Sequence, residues 1–347
     1  MSISNRIKIK GRAIGEGCPP FIIAESCINH QGDINIAEKM IYVAHSMGAD
    51  CIKFQIHFLE NEMLREAPQS DNFEEPLWDT LEKTNFSIEE HIHLKKICDS
   101  LGILYLCTSF SRDGADFLEE IGVDFFKTGS GELTNLPLIE HIANKGKPMI
   151  VSTGMSLMEE IRETVELIKG IGTPLILMHC VSAYPCPYER MNLKLIPYYR
   201  QLFAVPVGLS DHSQGIYVAL GSVVLGSCIL EKHFTLDRMQ KGPDHSSSIE
   251  PYELGELVKG AKIIYSALGS ERTIFPEEKQ IVAWARESVV SEIDIPKGVT
   301  ITERMVWVKR PGPGDDCIPA KDLKKVIGRV SKSQILKDKQ LKWSDLE

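Results

Sequence analysis

One unit recurs through the first 270 or so residues: a short apolar run, a polar tip, a helix-period pattern, a glycine, and another apolar run. The apolar runs predict strands at 21–26, 51–55, 104–109, 125–130, 148–153, 175–182, 205–210 and 229–234. Helical patterns fill the gaps, among them 34–47, 88–101, 114–121, 157–168 and a closing helix at 251–268. Eight β-α units in a chain of this size predict a TIM (β/α)8 barrel, an α/β fold whose active site lies at the C-terminal ends of the strands.

That fold requires polar side chains to gather at the eight tips and to be absent from strand interiors. In chain order the tips supply Glu25, Lys53 with Gln55, Thr108, Lys127 with Ser130 and Glu132, Ser152, His179 with Ser182, Ser210 with His212, and Glu231 with His233. Any one of these reads equally as a turn residue or a helix cap, but eight in register point to a site. A lysine that ends an apolar strand projects into a polar cavity or carries a heavy desolvation cost, so Lys53 and Lys127 imply an anionic ligand. Thr108, Ser130, Ser152, Ser210 and the backbone around Gly129 and Gly131 add donors suited to a phosphate or carboxylate.

In VPVGLSDHSQ (205–214) an apolar run stops in Ser, Asp and His, and ILEKHF (229–234) repeats the device after a segment of crossover length. His212 and His233 are thereby predicted at the tops of neighbouring parallel strands, about 4.8 Å apart, where two imidazoles can share one metal ion. Two separately hydrogen-bonded histidines are the plain alternative.

After Ser270 the pattern changes. We read 1–272 as the barrel, 273–288 as a charged linker, and 289–347 as a small β-rich module with turn signals at PKG and PGPG. From Val289 onward 12 Lys and Arg stand against 9 Asp and Glu, which leaves 27 against 39 before it. A basic tail can dock on an acidic body or on an anion held there, though solvated surface charge explains it equally. The formal charge of -9 argues against a general nucleic-acid binder. Nine cysteines without a C-x-x-C pair suit a reduced, cytoplasmic protein, and no apolar stretch is long enough to span a bilayer, so no membrane insertion is expected.

The runs FIIAESCINHQGD, GADCIKFQ, FFKTGSGELTN, MIVSTGM, HCVSAYP, VGLSDHSQGI, ILEKHFTLDR, KGPDHSSSIEP, IPKG and WVKRPG together resemble the sialic acid synthases, which make nonulosonic acids and join a TIM barrel to an antifreeze-like (SAF) domain. The resemblance covers essentially the whole chain. It implies condensation of phosphoenolpyruvate with the open-chain aldehyde of an N-acetylmannosamine-type sugar, releasing phosphate. By motif, Lys53, Thr108, Lys127, Ser130, Ser152 and Ser210 resemble a phosphoenolpyruvate pocket, and His212 and His233 resemble ligands of Mn2+ or Mg2+. Gln55, Asn72, Ser182, Tyr184, Asp244 and, from the tail, Arg310 resemble sugar contacts. Glu25 and Glu132 resemble the carboxylates at the reacting centre, either one a candidate general base. The family also implies a domain-swapped homodimer, Arg310 reaching the partner's barrel and Trp284 lining the junction. Ser182 stands where some members carry Asn, and 61–86 matches less closely, which leaves open a diacetamido-trideoxy sugar, the precursor of legionaminic or pseudaminic acid. A carbohydrate- or anion-binding protein without catalysis is the alternative from another class.

Overall fold

Side-chain parity along the strands decides what this barrel can hold. The computed structural model describes residues 6–68 and 75–347, so Asn72 lies outside the described residues. A hairpin of β1 (Arg6–Ile9) and β2 (Arg12–Gly15) comes first. The barrel strands are β3 (Phe21–Glu25), β4 (Cys51–Ile56), β5 (Leu104–Ser109), β6 (Phe126–Thr128), β7 (Met149–Ser152), β8 (Leu175–Cys180), β9 (Val207–Asp211) and β10 (Ile229–His233). They close in chain order, every pair parallel, with β10 beside β3. The eight-strand barrel expected from the repeat is the fold observed.

Two apolar clusters divide the strand residues by parity. Ile22, Ile52, Phe54, Tyr105, Cys107, Phe126, Met149, Val151, Leu177, Val207, Leu209 and Leu230 face the helices. Phe21, Ile23, Cys51, Leu104, Leu106, Phe125, Ile150, Ile176, Met178 and Ile229 fill the lower barrel. Gly208 takes an inward place because a Cβ there would come within 2.5 Å of the Met178 sulfur and 2.8 Å of Ile229 Cβ. The hairpin closes the floor: Ile9 and Ile14 are buried against this inner cluster, and Arg12 pairs with Asp50. Water is therefore shut out from below, and a cavity can open only at the C-terminal strand ends.

The helices that wrap the barrel are fixed by local chemistry. Over Ile88–Leu101, Ser87 and Glu90 form a reciprocal capping box, and Gly102 ends the helix at φ +78, where a β-carbon is disfavoured. On the outer side of the strand ends, Lys232 and Asp211 form a fully buried ion pair at 3.2 Å, with Asp211 also accepting from the Ser213 amide and hydroxyl. Because Asp211 and Lys232 point outward, their neighbours Ser210, Glu231 and His233 point in.

The chain divides into two compact units, Met1–Gly269 and Ser270–Glu347. The second contains a helix at Lys279–Ala285 and an antiparallel pair, β11 (Ser288–Ser291) with β12 (Val306–Lys309). Isolated bridges such as Val290 to Gln340 and Thr300 to Val330 extend the β-rich pattern. Its core is a separate cluster of Val289, Ile295, Ile301, Val306, Ile318, Val326, Ile335, Leu341 and Leu346.

Under the helices, His91 is fully buried with Nδ1 2.7 Å from the Tyr105 hydroxyl, and His30 stacks on Phe86 at 4.1 Å. Burial pushes the pKa of His91 from 6.5 down to about 4 and that of His30 to about 3. The unfolded chain binds these protons below pH 6.5 while the folded protein refuses them, so stability falls as pH drops from 6.5 toward the folded values. The expected slope is about 1.4 kcal/mol per pH unit for each proton. Urea denaturation of His91→Gln across this window should show a shallower slope than the parent; an unchanged slope would exclude His91 as a source.

Candidate active site

In the layer directly above the apolar floor each strand sends a polar or thiol side chain into the barrel, Glu25, Lys53, Thr108, Lys127, Ser152, Cys180, Ser210 and Glu231, every one at most 6% exposed, with Gln55 and His233 one step higher on β4 and β10. Register makes them neighbours. Glu25 sits beside Lys53 on one side and His233 on the other, Lys127 beside Thr108, and Glu231 beside Ser210. Lys53 and Lys127 lie within their strands rather than at the tips, which departs from the simple expectation. Barrel strands are staggered by shear, so Lys53 pairs with Glu25, the last residue of β3, although β4 runs on to Ile56.

Four of these groups carry charge. Lys53 pairs with Glu25 and lies 3.3 Å from Glu231, Lys127 lies 3.8 Å from Glu231, and each lysine also donates to a hydroxyl, Thr108 at 3.2 Å and Ser152 at 2.7 Å. Ser210 donates to Glu231 at 3.0 Å. Burial pushes Glu231 up, but Lys127 and Lys53 overcome it and hold the carboxyl at about 2. For Glu25 burial prevails over Lys53, with Glu231 adding to it, and the pKa rises to about 7. Burial opposes the charge on both lysines; Glu231 and Glu25 outweigh it and raise Lys53, whereas Lys127 stays below its ordinary value. With both carboxylates ionised the quartet is neutral.

The cavity above them has a volume of about 720 Å³, room for two small polar ligands. Ser130 accepts a hydrogen bond from the Gly154 amide at 3.1 Å, and Gly154 is needed there because a Cβ would come within 2.3 Å of Ser182 Oγ. Glu132 lines the same wall, its carboxyl raised by burial and one oxygen without a partner. Nearby on the β4 side, Gln55 meets His57 Nε2 at 3.4 Å. His57 stacks on Phe110, with ring centroids 4.5 Å apart, and its Nδ1 lies 2.7 Å from Glu62.

His212 and His233 stand with ring centroids 5.3 Å apart, and Tyr184 lies against both, at 4.1 and 5.5 Å. His212 Nδ1 donates to the Val181 carbonyl at 2.8 Å, which leaves Nε2 for another partner. His233 is 8% exposed, and its Nδ1 has no hydrogen-bond partner. Burial, against the pull of Asp244, pushes its pKa down to about 4 and keeps it in the neutral, metal-binding form. The Asp244 carboxylate is 3.8 Å from His233 Nδ1. Cys27, His233 and Asp244 also bring three buried ligand atoms within 4.8 Å of one another. This donor set fits a divalent cation.

The structure brings together Glu25, Lys53, Gln55, Thr108, Lys127, Ser130, Glu132, Ser152, Ser182, Tyr184, Ser210, His212, His233 and Asp244 around one cavity. Arg310 belongs to the second unit, exposed, with its guanidinium 5.5 Å from the ring centre of Trp284. His179, grouped with the tips by sequence, turns out of the barrel and bonds the Met191 carbonyl at 2.6 Å; Cys180 takes the inward place. Parity from Ile176 and Met178 carries that signal. Glu231 was visible as a tip, and its spacing two residues before His233 places both on one face. Cys27, His57 and Glu62 had no comparable signal, since all lie in loops or at a strand mouth.

A closed parallel barrel whose cavity is lined by two buried lysines beside clustered histidine, carboxylate and thiol groups is an architecture that enzymes acting on phosphorylated or carboxylated substrates use. A model of the NeuB family matches residues 40–273, and one of the SAF domain matches residues 286–347. The human N-acetylneuraminate-9-phosphate synthase is 36% identical over 92% of this chain and 90% of its own. The N,N'-diacetyllegionaminic acid synthase of Legionella pneumophila is 36% identical over 99% of both chains. The crystal structure of an N-acetylneuraminic acid synthetase from Leptospira borgpetersenii in complex with citrate superposes with a TM-score of 0.72 at 34% identity, covering 80% of this chain and 95% of that one. The chain belongs to the NeuB family of phosphoenolpyruvate-dependent nonulosonic acid synthases, with a C-terminal SAF domain.

Glu231 separates the two lysines from an uncompensated positive charge. Glu231→Gln should destabilise the anion-free protein by about 3 to 5 kcal/mol, as expected on breaking a buried charge pair. Its pocket also gains a net positive charge, so added inorganic phosphate should raise its melting temperature more than that of the parent. Equal shifts would show that Glu231 does not set the charge of the pocket.

Proposed function

We propose that the protein condenses phosphoenolpyruvate with open-chain N-acetylmannosamine to give N-acetylneuraminate and phosphate. The observation that carries this reading is the buried quartet of Lys53, Lys127, Glu25 and Glu231 beneath a cavity that also exposes His212 and His233. Lys53 and Lys127, with Thr108, Ser130, Ser152 and Ser210, bind the phosphate and carboxylate of phosphoenolpyruvate. Gln55, Ser182, Tyr184 and Asp244 orient the sugar, and Asn72 is assigned to the same role from sequence alone. His212 and His233 hold a divalent cation, Mn2+ or Mg2+, which when bound supplies Lewis-acid polarisation of the sugar aldehyde.

In the reaction the methylene carbon of phosphoenolpyruvate bonds to the aldehyde carbon, and the aldehyde oxygen becomes a hydroxyl. Water adds to the resulting cationic carbon and gives up one proton, which balances the one taken by the aldehyde oxygen. The C–O bond to phosphate then breaks with its electrons leaving on the phosphate, and the remaining hydroxyl proton passes to that phosphate as the ketone forms. Glu25 lies beside Lys53 and accepts from the Cys27 amide at 2.6 Å, placed to take or return the proton of that water. Glu132, buried in the lining of the same cavity with an unpartnered oxygen, is the other carboxylate for the step. The apolar floor keeps bulk water from the cationic carbon.

The second reading keeps the chemistry and changes the acceptor to a diacetamido-trideoxy sugar. It rests on Ser182 in the sugar wall and on equal identity to the human and Legionella relatives. Release of phosphate from phosphoenolpyruvate, with a divalent ion and a panel of N-acetylmannosamine, its 6-phosphate and diacetamido-trideoxy sugars, decides between them. Absence of turnover with every sugar would reject the synthase. Lys127→Ala should cost about 2 to 5 kcal/mol in kcat/KM for phosphoenolpyruvate, with a smaller effect on sugar dependence. Unchanged phosphoenolpyruvate kinetics would remove Lys127 from the site.

The residues 273–288 are proposed as a linker that lets the tail of one protomer serve the barrel of its partner, as a domain-swapped homodimer with Arg310 and Trp284 at the sugar end. Mixing inactive Arg310→Ala and His212→Ala chains, with exchange verified by mass, should restore about a quarter of wild-type sites. No recovery would mean that the tail acts on its own barrel. All nine cysteines are free, and no helix among the described residues is long and apolar enough to cross a membrane. Both facts support a cytoplasmic place for the reaction.

A further inference from the structure

The reaction outlined above leaves one buried acid–base pair in the cavity without a role. His57 follows directly on β4, after Lys53 and Gln55, and Glu62 ends the short helix Leu59–Glu62; both line the cavity. Their side chains are 5% and 3% exposed, with His57 Nδ1 2.7 Å from Glu62 Oε1. The imidazole is held on every other side. Its ring stacks on Phe110 with the planes 12° from parallel, its backbone amide donates to Asn85 Oδ1 at 3.1 Å, and its carbonyl accepts from Asn85 Nδ2 at 2.7 Å. Nε2 meets only the Gln55 side-chain amide among the described residues, at 3.4 Å, the outer limit of a hydrogen bond. Glu62 Oε2 is buried and has no partner among the described residues. Buried polar atoms are rarely left so, and an atom at each end of this pair is free for a ligand.

In water an N-acetylated mannosamine is closed almost wholly into a pyranose hemiacetal, whose C1 is saturated and cannot accept the methylene carbon of phosphoenolpyruvate. The ring must open before the carbon–carbon bond can form. We propose that His57, held by Glu62, opens the pyranose ring of the acceptor inside this cavity, so that the protein is also a sugar mutarotase. The proposal takes its substrate from the synthase reading, in which Gln55, the neighbour of Nε2, contacts the sugar. His57 Nε2 takes the proton of the anomeric hydroxyl, and the O–H electron pair becomes the second bond of the C1 carbonyl. The C1–O5 bond breaks with its electrons on O5, and O5 takes the same proton back from the imidazolium. Both oxygens are bonded to C1, so one nitrogen serves both, and no proton is gained or lost. His57 is the catalytic residue of this step. Glu62 is a positioning residue: by accepting from Nδ1 it fixes the tautomer that leaves Nε2 bare, and it stabilises the imidazolium.

The test uses the full chain with Mg2+ and N-acetylmannosamine labelled with carbon-13 at C1, and without phosphoenolpyruvate, so that no condensation can occur. Magnetisation exchange between the two anomers is followed by NMR against a buffer blank. The wild type should accelerate the exchange, and in His57→Gln and Glu62→Gln the acceleration should fall at least about 100-fold, the scale of a lost general base. Glu62→Gln keeps the shape and a hydrogen-bonding group, so its loss reports the carboxyl rather than packing. Melting temperatures and calorimetric titration with the sugar accompany both variants, and each should stay near the parent. No acceleration by the wild type, acceleration that survives in both variants, or a loss that only follows lost sugar binding overturns the proposal. Phosphate release after phosphoenolpyruvate is added separates the two claims. Exchange without condensation on any sugar retains the mutarotase and rejects the synthase, whereas condensation without accelerated exchange does the reverse.

Discussion

Two lysines and two glutamates occupy a space that water scarcely reaches, and the architecture of the barrel follows from the need to keep them there. Four buried charges are tolerable only if each is paired and its remaining valences are hydrogen-bonded. Glu231 meets this by lying between Lys53 and Lys127 while it accepts from Ser210. The lysines complete their shells with Thr108 and Ser152. Every group in this network comes from a different strand. The closed sheet therefore fixes their spacing, and no loop movement can relax it.

Strand register translates that electrostatic requirement into sequence. One inward polar or thiol group per strand forms a single layer, and everything inward beneath it is apolar down to Ile9 and Ile14 of the hairpin. The outward residues at the same height are just as constrained. Asp211 and Lys232 satisfy each other beneath the helices; a shift of one residue in β9 would turn Asp211 into the cavity and Ser210 out of it, and one in β10 would turn Lys232 in and Glu231 and His233 out.

The fold was legible because its signal is repeated eight times and each strand needs only approximate bounds. The cation and hydroxyl set was legible because polar residues interrupting apolar runs have few places to go. His179 and Cys180 show where such reading fails: both lie at the end of one apolar run, and choosing the inward residue requires parity counted from the floor, where Ile176 and Met178 are already inward. Cys27, His57 and Glu62 were not legible for another reason. Their positions depend on loop conformations and on partners far along the chain, such as Asp244 beside Cys27, and neither periodicity nor spacing encodes a contact between residues so distant in sequence.

The charge state of the quartet bears on how an anion can enter. A neutral group of two lysines and two carboxylates offers little net attraction to a phosphate, and desolvating that phosphate is costly. A positive balance arises when Glu25 takes a proton or when a divalent cation arrives beside it. Glu25 is the carboxyl already displaced upward, to about 7, while Glu231 is held ionised by both lysines. The two carboxylates thus differ despite similar burial: Glu231, between both lysines, is held well down, and Glu25, paired with Lys53 alone, is displaced upward. His233 is paired in register with Glu25 and shares a strand face with Glu231, so both carboxylates of the quartet lie close to its imidazole.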